Sequence, residues 1–346
     1  MIKRIFALLL SILFCATALV ACGASDEKKP TGNQNTDSSD PAGSVNNTPD
    51  REVLDTVVMK VGEIDVTYET YRYYFMSCRS NYESQGIAKT VKELQAEVLD
   101  EIIYQCAIHS LADRFGAGLT EQQSGTVDLA YAELYQTYKD YESDLETALS
   151  LRYMTPKVYK DLYAFETYMV ENVFNYCKDE KNGVLDFSEQ AVDAMLSEYE
   201  RVRMIYIGIN DERNEANAKK KADGVLELLA SGEDFVKVAG ERSDLAETND
   251  ADVGFYFQKG ELDEKVEQAY FALAEGEYTS QAVKTEDGYY ILYRIAKDRD
   301  YFAKNLYPSY TFNEYLKAYE KELQINYTEF FNTMFDGKNL IPETIK

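Results

Sequence analysis

The chain has 346 residues, with 61 Asp plus Glu against 36 Lys plus Arg and a formal net charge of −25. That balance excludes a phosphate-neutralising nucleic-acid binder and a polybasic membrane-binding surface. The length supports a sizeable core and about two domains. With 29 Tyr, 16 Phe and no Trp, much of the packing falls to rings that keep a polar tip.

Residues 1–21 read as a targeting segment. "MIKR" is a positive n-region, and "IFALLLSILFCATALV" is an apolar run outside the mature fold. It ends in Leu19-Val20-Ala21-Cys22, the lipobox pattern of bacterial lipoproteins. Cys22 is therefore the expected lipid attachment site; an ordinary signal peptide with an incidental cysteine is the alternative. Residues 22–52 read as a disordered tether. From 24 to 50 its one large apolar residue is Val45, too little to build a core. Its reach is roughly 30 Å.

After the tether, Thr56 to Val61 alternates as a short strand, and Gly62-Glu63 makes a turn. Thr67 caps a helix beginning "YETYRYYF". Thr90 and Glu93 form a capping box ahead of a helix whose apolar stripe is Leu94, Val98, Ile102 and Cys106. Thr120 with Gln123, Thr155 with Pro156, and Ser188 open three more helices. Cys78, Cys106 and Cys177 are scattered through these patterns, as small core residues rather than a disulfide framework. His109 is the single histidine. It lies on or near an apolar helix face and leaves little for a zinc site.

From Val202 the pattern changes to a β-run, two helices, a polar loop, a strand, a helix and a hairpin, in the order β-α-α-β-α-β-β. Thr311 and Glu314 then form a further capping box, predicting one long helix through Met334 with a broad apolar side. Such a side has to be buried, and the helices before residue 200 are the available partner. The fold class is therefore α+β, with a compact module inserted between two parts of one helical domain.

This layout resembles the extracytoplasmic foldases of the PrsA and SurA type, which carry a parvulin (PpiC-type) peptidyl-prolyl isomerase domain. The strand-and-helix start "VVMKVGEIDVTYE" is similar to the opening of the family's helical chaperone domain. Gly232, Phe235, Ala239, Ser243 and Asp244 match the pattern G-x-x-F-x-x-x-A-x-x-x-S-D. The resemblance implies a SurA-N-like helical chaperone domain over 53–200, a parvulin-like domain over 201–298, and a C-terminal helix at 299–346 completing the first. It implies no cofactor or metal. It implies unfolded or newly secreted polypeptides as partners, with the membrane contacted through the lipid anchor. The oligomeric state stays open, a homodimer being one option.

The resemblance also marks departures. Tyr206 stands where the first strand of the family carries histidine, and Tyr290 where the last strand carries the second. Leu245 replaces a cysteine or aspartate, and Asp250 and Ala251 replace a glycine pair. Leu262 and Val266 replace the methionine and phenylalanine of the proline pocket, with Phe257 as a further substrate-binding candidate. Prolyl isomerisation twists an amide across a barrier of about 18–20 kcal/mol and needs no nucleophile. It needs an apolar slot and hydrogen bonds that favour the twisted state. Two phenols can supply part of such a scaffold, or simply fill a sheet face. The expected function is a membrane-anchored folding factor with a degenerate isomerase signature. The alternatives are a fully active isomerase and, in a different class, a solute-binding lipoprotein of a transporter.

Overall fold

The computed structural model describes residues 49–210, 213–245 and 253–334. The signal segment, Cys22, nearly all of the tether, and Asp250 and Ala251 lie outside the described residues. The chain divides into two compact units, one formed by residues up to Asp179 and from Glu314 onward, the other by Glu180–Asn313.

The first unit opens with a short helix, α1 (Arg51–Leu54), then β1 (Val57–Val61) and β2 (Ile64–Thr67). The hairpin turns at Gly62, whose φ of +59° suits glycine. Thr67 accepts the Thr70 amide and starts α2 (Tyr68–Ser84). The Thr90–Glu93 capping box starts α3 (Val91–Phe115), and Leu94, Val98, Ile102 and Cys106 are all buried. The Thr120–Gln123 box starts α4 (Glu121–Asp140). A short α5 (Leu145–Ser150) follows, then α6 (Pro156–Ala164), capped by Thr155. A π-helical turn, Phe165–Met169, joins α6 to α7 (Val170–Lys178). Tyr68, Tyr71, Phe75 and Met76 fill the core between these elements.

The second unit begins with α8 (Glu189–Ser197), capped by Ser188. It continues through β3 (Tyr199–Gly208), α9 (Glu215–Ala230), α10 (Phe235–Arg242), β4 (Phe255–Gln258), α11 (Glu264–Phe271), β5 (Val283–Lys284) and β6 (Gly288–Arg294). This matches the β-α-α-β-α-β-β order expected from the sequence. The sheet order is β4-β3-β6-β5, every neighbour antiparallel. Ile205, Ile207, Tyr289 and Ile291 pack under α9 and α10 with Ala218, Ala222, Val225 and Phe235. The opposite sheet face carries Val202, Met204 and Leu292. The compact unit extends past 201–298 at both ends. Val192 of α8, Phe302 and Tyr307 form a cluster that packs on Tyr199 and Tyr256 of the sheet.

The C-terminal segment departs from the single helix predicted. Helix α12 (Arg299–Tyr301) runs through a π-helical turn at Phe302–Leu306 into α13 (Tyr307–Glu322). Thr311 is thus inside a helix, not at its start. The chain then forms β7 (Ile325–Tyr327) and a short α14 (Glu329–Thr333). Strand β7 pairs antiparallel with β1, giving a sheet of order β2-β1-β7. The free backbone groups along β1 capture this segment. Thr328 donates its amide to the Val58 carbonyl at 3.0 Å, and its hydroxyl caps α14 by accepting the Phe331 amide. The segment still closes the helical core, through Leu323, Phe330, Phe331 and the fully buried Met334.

A charge is buried in the first unit. Glu69 is 1% exposed. It accepts two hydrogen bonds from Arg51, at 2.7 and 2.9 Å, and one from the hydroxyl of Thr155. The start of the fold is thereby tied to α2 and to the cap of α6. Arg51→Ala strands this carboxylate, and a loss of about 2–3 kcal/mol is expected in the urea unfolding free energy. The double change Arg51→Ala, Glu69→Leu should regain most of it, because the buried carboxylate goes with its partner.

Glu166 lies half-buried on the π-helical turn between α6 and α7. Burial first, then the charge of Glu101, push its carboxyl up to about 7. The folded value lies above the unfolded one, so the protonated form stabilises the fold below about pH 4.3 and that contribution is lost as pH rises through 7. Discounted for partial exposure, Glu166→Gln should remove about 1–2 kcal/mol of the stability lost between pH 5 and pH 8. Urea midpoints at the two pH values for both proteins check this.

Candidate functional site

The face of the sheet away from α9 and α10 gathers the residues singled out in the sequence. Val202, Met204, Phe257, Val266, Tyr270 and Leu292 form its buried layer, and Leu245, Leu262 and Tyr290 pack on that layer while half-exposed. Phe257 and Val266 are only 3% and 2% exposed. They form the floor of the cluster, whereas Leu245, Leu262 and Tyr290 form the surface a ligand would meet. Sequence reasoning had placed Phe257 and Val266 with Leu262 as equals. It missed the floor role because burial depends on Tyr270, whose ring meets that of Phe257 edge-on at 5.0 Å.

Tyr206 and Tyr290 are register partners on β3 and β6. Their rings lie 4.8 Å apart, tilted by 40°. The next pair along the ladder that faces the same way is Gly208 and Gly288. A Cβ on Gly288 would sit 2.6 Å from the Tyr206 ring and 2.4 Å from the Ile207 carbonyl oxygen. A Cβ on Gly208 would sit 3.2 Å from the same ring. The ring of Tyr206 therefore occupies space that the two glycines leave empty.

The two phenols have different neighbours. The Tyr206 hydroxyl donates to the Asp287 carbonyl oxygen at 2.7 Å. Its amide donates to Ser243 Oγ at 3.1 Å, and its carbonyl accepts the Asp244 amide at 2.7 Å. Burial raises the Tyr206 phenol first, and Asp287 and Asp244 raise it further. Tyr290 is pushed up to about 12, by burial first and then by Asp287, Tyr206 and Asp263. Both phenols are thus neutral hydrogen-bond donors at ordinary pH.

The Ser243-Asp244 pair closes α10 onto β3. Ser243 Oγ also accepts the Leu245 amide at 3.2 Å. The Asp244 carboxylate accepts the Gly208 amide at 2.9 Å, Lys221 at 2.8 Å, and Arg213. Burial pushes this carboxyl up, but Lys221, the Gly208 amide and Arg213 outweigh it and hold it below its usual range. Asp287 lies in the turn between β5 and β6 and is not among the residues that the sequence singles out. Its carboxylate accepts the Thr285 hydroxyl. The signal that could have found it is its position directly before Gly288 and three residues before Tyr290.

An open depression of about 420 Å³ lies at the sheet edge, lined by Glu215, Lys265, Lys284, Thr285 and Glu286. Lys284 and Glu215 pair across it. Its charged walls suit a proline ring less than the apolar cluster does. His109 lies on α3 beside Phe165, with ring centroids 5.5 Å apart, and burial holds it below its usual range. Among the described residues no three His, Cys, Asp or Glu side chains gather as metal ligands, and no helix is long and apolar enough to cross a membrane.

The family described as "Rotamase: PPIC-type PPIASE domain" matches residues 204–296. The foldase protein PrsA of Bacillus subtilis (strain 168) is 39% identical over 75 residues, which cover 21% of this chain and 25% of that protein. The match thus spans about a quarter of that curated relative. Among solved structures, PrsA from Bacillus subtilis aligns over 78% of this chain and 91% of its own, at 18% identity and a TM-score of 0.33. NmPin, the parvuline of Nitrosopumilus maritimus, aligns over 29% of this chain and 97% of its own, at 28% identity and a TM-score of 0.24. Residues 204–296 thus match the PPIC-type PPIase domain family, and a 75-residue stretch of the chain is similar to part of PrsA.

Proposed function

We propose that this chain is an extracytoplasmic folding factor whose parvulin-like module, 201–298, binds X-Pro segments of unfolded secreted polypeptides and isomerises them weakly or not at all. In this reading the helical domain, 53–200 with 299–346, is the chaperone part. The observation that carries the reading is the Tyr206–Tyr290 pair set beside an apolar cluster surfaced by Leu245 and Leu262. A cluster of this kind can hold a proline ring out of water. Catalysis also needs donors aimed at the twisting amide. Tyr206 has its hydroxyl on a backbone carbonyl, and Leu245 has no polar group to offer. Tyr290 is the remaining phenol of the pair, on the half-exposed surface.

The full mature chain should therefore accelerate cis–trans exchange of a proline-containing tetrapeptide at least about 100-fold less than a parvulin with both histidines. Protease-coupled or exchange NMR assays measure this. A rate equal to that parvulin's, abolished by Tyr290→Ala, would establish a fully active enzyme instead.

The anchor is part of the proposal and rests on Leu19-Val20-Ala21-Cys22. Two signals are needed for stable membrane attachment by lipid chains, and a lipid-modified cysteine with several acyl chains provides them. Cys22→Ser should shift the protein from the membrane fraction to the soluble fraction. Incorporation of a labelled fatty acid by the Cys22→Ser chain would sink the anchor.

A further inference from the structure

Leu262 surfaces the apolar cluster from the loop between β4 and α11, outside any helix or strand. A loop side chain forms a fixed surface only where its backbone is held. This loop is closed on itself at one end. The Gln258 amide donates to the Glu261 carboxylate at 2.8 Å, and the Glu261 amide donates to the Gln258 carbonyl oxygen at 3.2 Å. Its middle is held from α11, by Glu267. That residue is 8% exposed, and one of its carboxylate oxygens accepts the Gly260 amide at 2.5 Å and the Leu262 amide at 3.2 Å. Glu267 lies in the first turn of α11, directly after Val266 and three residues before Tyr270, both of the cluster's buried layer. The helix dipole favours a carboxylate there. Burying one is costly unless it is hydrogen-bonded, and both of these bonds come from the loop that carries Leu262.

We infer that Glu267 is a positioning residue of this site: its buried carboxylate holds the Gly260 and Leu262 amides, so that the Leu262 side chain is a preformed wall for the proline ring of an X-Pro segment. This deepens the function proposed above and rests on it. One helix thereby serves both layers of the site. Val266 and Tyr270 enter the floor directly, and Glu267 fixes the wall through the backbone of the preceding loop. A wall fixed before binding avoids the entropy that a mobile loop would lose on meeting a peptide. Glu267 acts through Leu262 and not by contact with the peptide.

The test is Glu267→Leu in the full chain, which fills the same space without an acceptor. Solvent exchange of the Gly260 and Leu262 amides, followed by NMR, should speed up at least about threefold. Affinity for a proline-containing tetrapeptide, read from chemical-shift titration, should fall at least about threefold. Glu267→Gln should regain most of both, because its amide oxygen still accepts. Adding Glu267→Leu to Leu262→Ala should cause little further loss of affinity, since both act through one side chain. Unmoved exchange of the two amides in a folded Glu267→Leu chain overturns the assignment. So does unchanged peptide affinity in that chain, or an affinity loss that adds in full to that of Leu262→Ala. A wild-type chain that binds no proline peptide overturns the function reading instead, and amide exchange then still decides whether Glu267 holds the loop. Should Glu267→Leu fail to fold, Glu267→Asp takes its place. It keeps the carboxylate but is one methylene shorter, so both amides should exchange faster and affinity should fall. Wild-type exchange and affinity in Glu267→Asp overturn the assignment.

Discussion

The antiparallel ladder between β3 and β6 is the constraint on which the site depends. It runs in register from Val202 opposite Arg294 to Gly208 opposite Gly288. Side chains alternate with a period of two, so a slip by one residue would exchange the two faces of the sheet. The register is held by Ile205, Ile207 and Ile291, all fully buried under two helices. Each contributes about 1.5–3 kcal/mol by leaving water. That same register leaves Met204, Tyr206, Tyr290 and Leu292 on the other face, where the apolar cluster forms. The helix side of the sheet thus decides what the opposite side can present.

A face that presents phenols differs in a definite way from one that presents imidazoles. A histidine titrates near neutrality and can exchange donor and acceptor roles between its two nitrogens. A phenol has a single oxygen, and here burial and nearby carboxylates keep it protonated. Each tyrosine therefore offers one directed donor. Tyr206 commits its donor to the backbone of the adjacent turn. The ring is also larger than an imidazole, and it is accommodated because Gly208 and Gly288 carry no Cβ beneath it. The two rings thus lie side by side on neighbouring strands, and that of Tyr206 is fixed by its hydrogen bond to the adjacent turn.

The helix starts show which features local sequence can report. Thr67, Thr90, Thr120, Thr155 and Ser188 each cap the helix expected from them. A cap joins a side chain to a backbone amide three residues away, so its signal lies entirely within a short window. The segment after Glu322 behaves otherwise. Its apolar spacing suits a helix, but Ile325–Tyr327 becomes a strand because β1, some 265 residues earlier, has an unpaired edge. Glu69 is similar. Nothing near it in sequence marks it as buried, and its partners Arg51 and Thr155 lie 18 and 86 residues away.

The sequence by itself determined the α+β class, the element order of the inserted module, most helix starts and the family resemblance. These follow from periodicity, capping and motif spacing, which act over a few residues. Tertiary structure decided which candidates line the surface and which lie beneath it, separating Leu245, Leu262 and Tyr290 from the buried Phe257 and Val266. It also brought Asp287 to the tyrosines and gave Tyr206 and Tyr290 different partners. Those outcomes depend on strand register and on close approach across the sheet. The bond from Tyr206 to the Asp287 turn joins residues 81 apart, a distance at which residue spacing carries no geometric information.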